Sequence, residues 1–276
     1  MSAAGPRRST ARTLAALYSP PPQRALLGAL LALEEEIGAS LRPGLDHQVA
    51  HARLAWWREE CARCVRGQPA HPLTRALLEC FAGLDPAPLA GIGGLVDLAV
   101  WDLAAATFET RRELDAYCGR WADALLVPLV ALGAPPAPRA AAHALGAALR
   151  EAQLLADLAR DAHAGRLRLP LDELAAAAVP STALARAPFP PPLARLLRAR
   201  HADVRGRLAA GVAALTPQAQ PPLRGLMVWA ALAHRGSRRA ERRLPGAHPG
   251  GDDSGLLDGY RAWRAARLAG EGRFKP

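Results

Sequence analysis

The feature that most constrains this chain is its punctuation: apolar residues recur at helical spacing, and a proline or glycine ends each run. Pro20-Pro21-Pro22 closes a short first segment, Pro43-Gly44 ends a run from Gln23 to Leu41, and Gly67 ends one carrying Leu45, Val49, Ala52, Trp56 and Val65. Proline lacks the N–H that continues a helix, and glycine loses the most backbone entropy in one. Between the breaks Ala and Leu dominate, and both lose little side-chain freedom on helix formation. Val and Ile, which favour strands, are scarce. The spacing predicts an all-α chain.

The same reading continues to the C-terminus. A helix opens at His71-Pro72 and runs through Phe81, and Asp85-Pro86 starts a segment reaching Phe108. Thr110 and Glu113 have the spacing of a capping box for a helix whose inner face is Leu114, Cys118, Trp121, Leu125, Leu129 and Leu132. Pro135 to Pro138 reads as a loop. One uninterrupted helix is expected from Arg139 to Ala164, a small one from Leu171 to Ala178, and longer ones over 193–215, 217–244 and 256–269. Residues 1–13 read as a loose basic start and 246–255 as a flexible loop. The Pro-rich stretch from Pro180 to Pro192 leaves only about 85 residues after it, small for a free-standing domain. Residues 1–276 are therefore expected to form one domain.

The net charge is +10, carried by Arg with Lys275 as the only Lys. Such a balance suits anionic partners: nucleic acid, lipid headgroups or diphosphates. The run Arg235, Arg238, Arg239, Arg242, Arg243 has only Trp229 near it, which disfavours nucleic acid, where aromatics interleave with basic residues, and fits peripheral membrane contact better. Cys61 and Cys64 form a lone CxxC inside a helical pattern and read as small buried hydrophobes. No disulfide framework is implied, so a cytoplasmic location is expected, peripheral to a membrane's inner face if that contact is made. His47 and His51 share a helical face without a third ligand, and all six Trp are expected to pack between helices.

Several phrases stand in one order. Leu54-Ala55-Trp56-Trp57-Arg58-Glu59-Glu60 is followed by Gly67 and His71-Pro72; Asp102-Leu103 by Thr110, Glu113-Leu114 and Tyr117-Cys118. Gln153-Leu154 leads to Arg160-Asp161, then Gly165-Arg166-Leu167-Arg168-Leu169-Pro170 and Asp172-Glu173-Leu174. The ordered set resembles the squalene/phytoene synthase family over roughly residues 14 to 245. That resemblance implies a single helical bundle of the isoprenoid (terpenoid) synthase type around a central cavity. It implies head-to-head joining of two prenyl diphosphates, with Mg²⁺ on two facing acidic motifs, and an isoprenoid diphosphate or other lipid-like ligand. By position, Glu35, Glu36, Asp157 and Asp161 are the metal-ligand candidates. Arg53, Arg58, Arg160 and Arg166 are candidates for diphosphate, and Tyr117 and Gln153 for the cavity wall.

Both acidic motifs depart from the family pattern. In Glu34-Glu35-Glu36-Ile37-Gly38-Ala39-Ser40 no acid stands four residues beyond any of the three. After Arg160-Asp161 the next acid is missing, and Gly165-Arg166 follows at once, although Asp157 lies one turn before Asp161. Three readings stay open. One is a family protein that binds an isoprenoid or lipid-like ligand with degenerate or lost condensation activity. The second is an active Mg²⁺-dependent farnesyl or geranylgeranyl diphosphate-joining prenyltransferase. The third is a non-enzymatic helical protein for assembly or for anionic surfaces; family relatives that act in assembly of respiratory complex I, with acidic motifs lost in a similar way, belong with the first reading.

Overall fold

The computed structural model describes residues 10–42, 44–134, 139–246 and 256–276; the expected loop over 135–138 and nearly all of that over 246–255 lie outside them. Among the described residues every regular element is helical. In chain order these are α1 Thr10–Tyr18, α2 Pro21–Gly38, α3 His47–Val65, α4 Pro72–Glu79, α5 Gly94–Leu103 and α6 Arg111–Gly133. There follow α7 Arg139–Ala156, α8 Leu158–His163, α9 Leu171–Ala176, α10 Pro191–Ala213, α11 Arg224–Arg243 and α12 Leu256–Gly270.

The breaks fall where the backbone requires them. Pro21 and Pro72 stand in the first turns of α2 and α4, where a missing N–H costs nothing. Asp46 caps α3 by accepting from the Gln48 and Val49 amides, and Gly67 leaves that helix at φ +76°. Three expectations need correction. Thr110 makes no side-chain cap; Glu113 accepts instead from the Glu109 amide at 2.7 Å, one residue too early for a capping box. The helix expected over 139–164 is broken at Asp157 into α7 and α8. Residues 10–13, expected to be loose, already belong to α1.

α6 and α7 form the central pair, and Gly146 lets them close: a Cβ there would sit 2.6 Å from the Ala122 Cβ. Gly211 gives α10 the same approach to Leu145 on α7. The part after the Pro-rich connection thus packs on the part before it, and one hydrophobic core runs from Ala15 to Phe274. α11 packs on α7 and α10 and also against α1 and α12. Cys61 and Cys64 are buried free thiols with burial pushing them up to about 12 and about 11, consistent with packing and not with redox chemistry.

Candidate functional site

The amphipathic stripe of α2 is Leu26, Leu30, Leu33 and Ile37, and Glu34 lies on it. Glu34 therefore points into the bundle, while Glu35 and Glu36, the metal candidates by sequence, lie on the exposed side. Its carboxylate is met at once by cations. Arg12 of α1 donates to it at 2.7 Å through Nη1, the Trp121 indole N–H donates at 2.8 Å, and Arg150 of α7 stands 3.7 Å away. Burial alone would raise the Glu34 pKa; Arg12, Arg150 and the Trp121 hydrogen bond outweigh it and hold the carboxyl below its usual range.

From Glu34 a continuous polar chain crosses the interior. Arg12 also donates to the Gln153 amide oxygen at 3.1 Å, and its guanidinium lies over the rings of Trp121 and Trp229. Arg150 donates to the Tyr117 hydroxyl at 3.0 Å, and that hydroxyl donates to Asp102 at 3.2 Å. Arg168 then links two acids, with Nη1 2.7 Å from Asp102 and Nε 2.9 Å from Asp161. Arg166 reaches the other Asp161 oxygen at 3.1 Å, and Arg160 pairs with Asp157 at 2.7 Å. Burial would raise Asp161, but Arg168 and Arg166 pull its pKa below normal. Asp157 goes the other way: burial, with repulsion from Asp161, raises it despite Arg160.

Of the sequence candidates, Tyr117, Gln153, Asp161 and Arg166 join this layer, and Asp157 with Arg160 forms its outer end. Arg53 and Arg58 do not; both are on the exposed side of α3, where Arg58 pairs with Asp97. The central members Arg12, Glu34, Arg150, Asp102 and Arg168 were not among the candidates. Two signals could have found some of them. Glu34 shares the stripe of Leu30, Leu33 and Ile37. Arg166 and Arg168 stand two residues apart just after Asp161, and both reach it. The Arg235–Arg243 run also reads differently in three dimensions: Trp229 is buried, Arg235 and Arg239 pair with Asp258, and Trp56 and Trp263 are the exposed Trp instead.

The space between the acid-bearing helices is thus filled by aromatic rings and guanidinium groups. A cavity of about 20 Å³ lies nearby, lined by Leu155, Leu158, Phe189, Leu197 and His201, large enough for one water. The layer's donor set does not fit a family-type magnesium cluster. Among the described residues no three His, Cys, Asp or Glu side chains converge. Each inward carboxylate is instead held by an arginine at 2.7–3.1 Å. A magnesium ion needs several carboxylate or water oxygens in near-octahedral array, and here it would have to displace a guanidinium from a buried acid. The displaced guanidinium would then be left without its counter-ion in the interior.

An all-helical bundle with its acids turned inward from α2, α5 and α8 defines the class of helical isoprenoid synthase folds, and the comparisons agree. The chain matches the squalene/phytoene synthase family model over residues 6–247 and belongs to that family. It is 31% identical over 137 residues to a phytoene synthase of Arthrospira platensis, a match covering 44% of this chain and 44% of that protein, under half its length. A crystal structure of a dehydrosqualene synthase in complex with ligand superposes with a TM-score of 0.79 at 18% identity, covering 95% of this chain and 91% of that one. Squalene synthase HpnC from Alicyclobacillus acidocaldarius gives 0.68 at 17% identity, covering 85% and 89%. At these identities the two structures establish the fold.

Proposed function

We propose that this chain is a squalene/phytoene synthase-family protein that has exchanged metal-assisted condensation for an arginine-neutralised interior, and that it binds an isoprenoid or lipid-like ligand without joining two of them. The observation that carries the reading is Arg168 between Asp102 and Asp161, with Arg12 on Glu34: the acids that would anchor divalent ions already have permanent counter-ions. Arginine does not deprotonate at accessible pH, so a change of pH does not remove these counter-ions. Loss of a diphosphate leaving group develops negative charge, and stabilising such charge usually contributes more to catalysis than any other effect. Guanidinium groups still recognise phosphate oxygens bidentately, so an anionic head remains a suitable ligand. The tail needs an apolar pocket of several hundred Å³, on the order of 300 or more.

The test is incubation with farnesyl and geranylgeranyl diphosphates plus Mg²⁺, following pyrophosphate release, beside binding of a non-hydrolysable prenyl diphosphate analogue with and without EDTA. Expected are no release above background and binding that EDTA leaves unchanged. Robust release that disappears in Asp161→Ala would overturn the reading in favour of an active prenyltransferase. No release and no analogue binding would remove the ligand and leave the non-enzymatic scaffold.

A further inference from the structure

α12 is built inside out. Its packed face carries Ala262, Ala265, Ala266 and Ala269, while its three largest apolar side chains in the segment 257–263 face outward: Leu257 is 62% exposed, Tyr260 57% and Trp263 45%. An ordinary surface helix does the reverse, because burying a side chain of this size contributes about 1.5–3 kcal/mol. The helix is not loosely attached, since both of its ends are tied down. Asp258 is buried against Arg235 and Arg239 of α11, at 2.9 and 3.0 Å. Beyond the helix, the Phe274 amide and carbonyl bond the Gln220 side chain at 2.8 and 3.2 Å.

The same face is basic. Arg261, Arg264 and Arg267 are all exposed and, at 3.6 residues per turn, share the arc of Leu257, Tyr260 and Trp263. Arg267 lies over the Trp263 ring and pairs with Glu271, the one acid on this side of the segment; Arg261 and Arg264 have no acidic partner among the described residues. Tyr260 and Trp263 lie with ring centroids 5.8 Å apart, forming one aromatic patch. No helix among the described residues is long and apolar enough to cross a membrane.

We propose that the outer face of α12 is a docking surface for an anionic lipid bilayer, with Leu257, Tyr260 and Trp263 seated at the headgroup level and Arg261 and Arg264 paired with lipid phosphates. Aromatic residues beside arginines suit that boundary, where one part of the side chain is apolar and the rest wet. The charge complementarity selects lipid over a second copy of this chain, whose own α12 would bring like charge to the contact. The surface does not depend on whether the interior turns substrate over.

The test is sedimentation of the full chain with vesicles of phosphatidylglycerol and phosphatidylcholine, and with phosphatidylcholine alone, without any diphosphate. Binding is expected to the mixed vesicles and to weaken steeply with salt. Arg261→Gln/Arg264→Gln should weaken it about 25-fold, since each arginine near an anionic surface is worth about a factor of five. Tyr260→Ser/Trp263→Ser should weaken it about tenfold or more. All four positions are exposed, and unchanged circular dichroism verifies that the variants fold. Failure of the parent chain to bind mixed vesicles, or equal binding by both variants, would overturn the proposal. So would concentration-dependent self-association, lost in Tyr260→Ser/Trp263→Ser, in a chain that ignores vesicles; that result would assign the face to a second copy.

Discussion

Arg12 and Glu34 are each mostly buried, so neither charge can be stripped of its partner without being stranded in low dielectric. Arg12→Met is expected to cost about 3 kcal/mol in urea denaturation, the lower end for a buried pair because some solvent reaches both side chains. Adding Glu34→Leu should recover part of that loss, since it removes the stranded carboxylate but leaves the Trp121 indole N–H without its acceptor and takes a nearby acid from Arg150, which keeps the Tyr117 hydroxyl. A double variant no better than the single one would contradict the assignment. Glu60 makes a separate pH prediction. Burial pushes its pKa up, but Thr74, the His71 and Ala70 amides and Arg63 all donate to its carboxylate and bring it down to about 2. Its folded pKa is below the ordinary value, so its contribution is complete above about pH 4.5 and disappears as pH falls toward 2. Denaturation midpoints should therefore fall with acidification across that window, and Glu60→Gln should flatten that slope.

Between α6 and α7 the contact is set by what is missing at Gly146. Gly146→Val forces a side chain into Ala122 and should destabilise by about 1–3 kcal/mol. Gly236→Ala in α11, with open space where the Cβ would go, should stabilise by about 0.5–1 kcal/mol. Thermal unfolding of the two variants checks both signs. At this scale the sequence was informative, because Pro20, Pro43, Gly67 and Pro72 act locally and their effects do not depend on the tertiary structure. The break at Asp157 was illegible for the opposite reason: its neighbours have good helix propensity, and the turn accompanies side-chain pairings, of Asp157 with Arg160 and of Asp161 with Arg166 and Arg168 beyond α8, that propensity does not encode. Of the three consecutive glutamates at 34–36, only Glu34 is in phase with Leu30, Leu33 and Ile37, so the helical period and not the composition picks out the inward one. Partner identity was harder still: nothing near Asp102 in the chain points to Arg168.

Across the whole molecule, the polar layer joins α1, α2, α5, α6, α7, α8 and the segment after α8. Millimolar MgCl₂ should leave the thermal midpoint unchanged, and EDTA should too; a native-state ligand would raise it with concentration. A clear rise with Mg²⁺ would mean that some carboxylate is free to bind it, against the proposed function. The bridging position of Arg168 also limits what a single substitution can do. Replacing it alone with an apolar residue would not create a metal site: Asp102 would lose its arginine, and Asp161 would keep only Arg166. A metal site here would take at least two changes together, loss of the bridging guanidinium and gain of a third converging carboxylate, because the first alone leaves buried acids short of counter-charge.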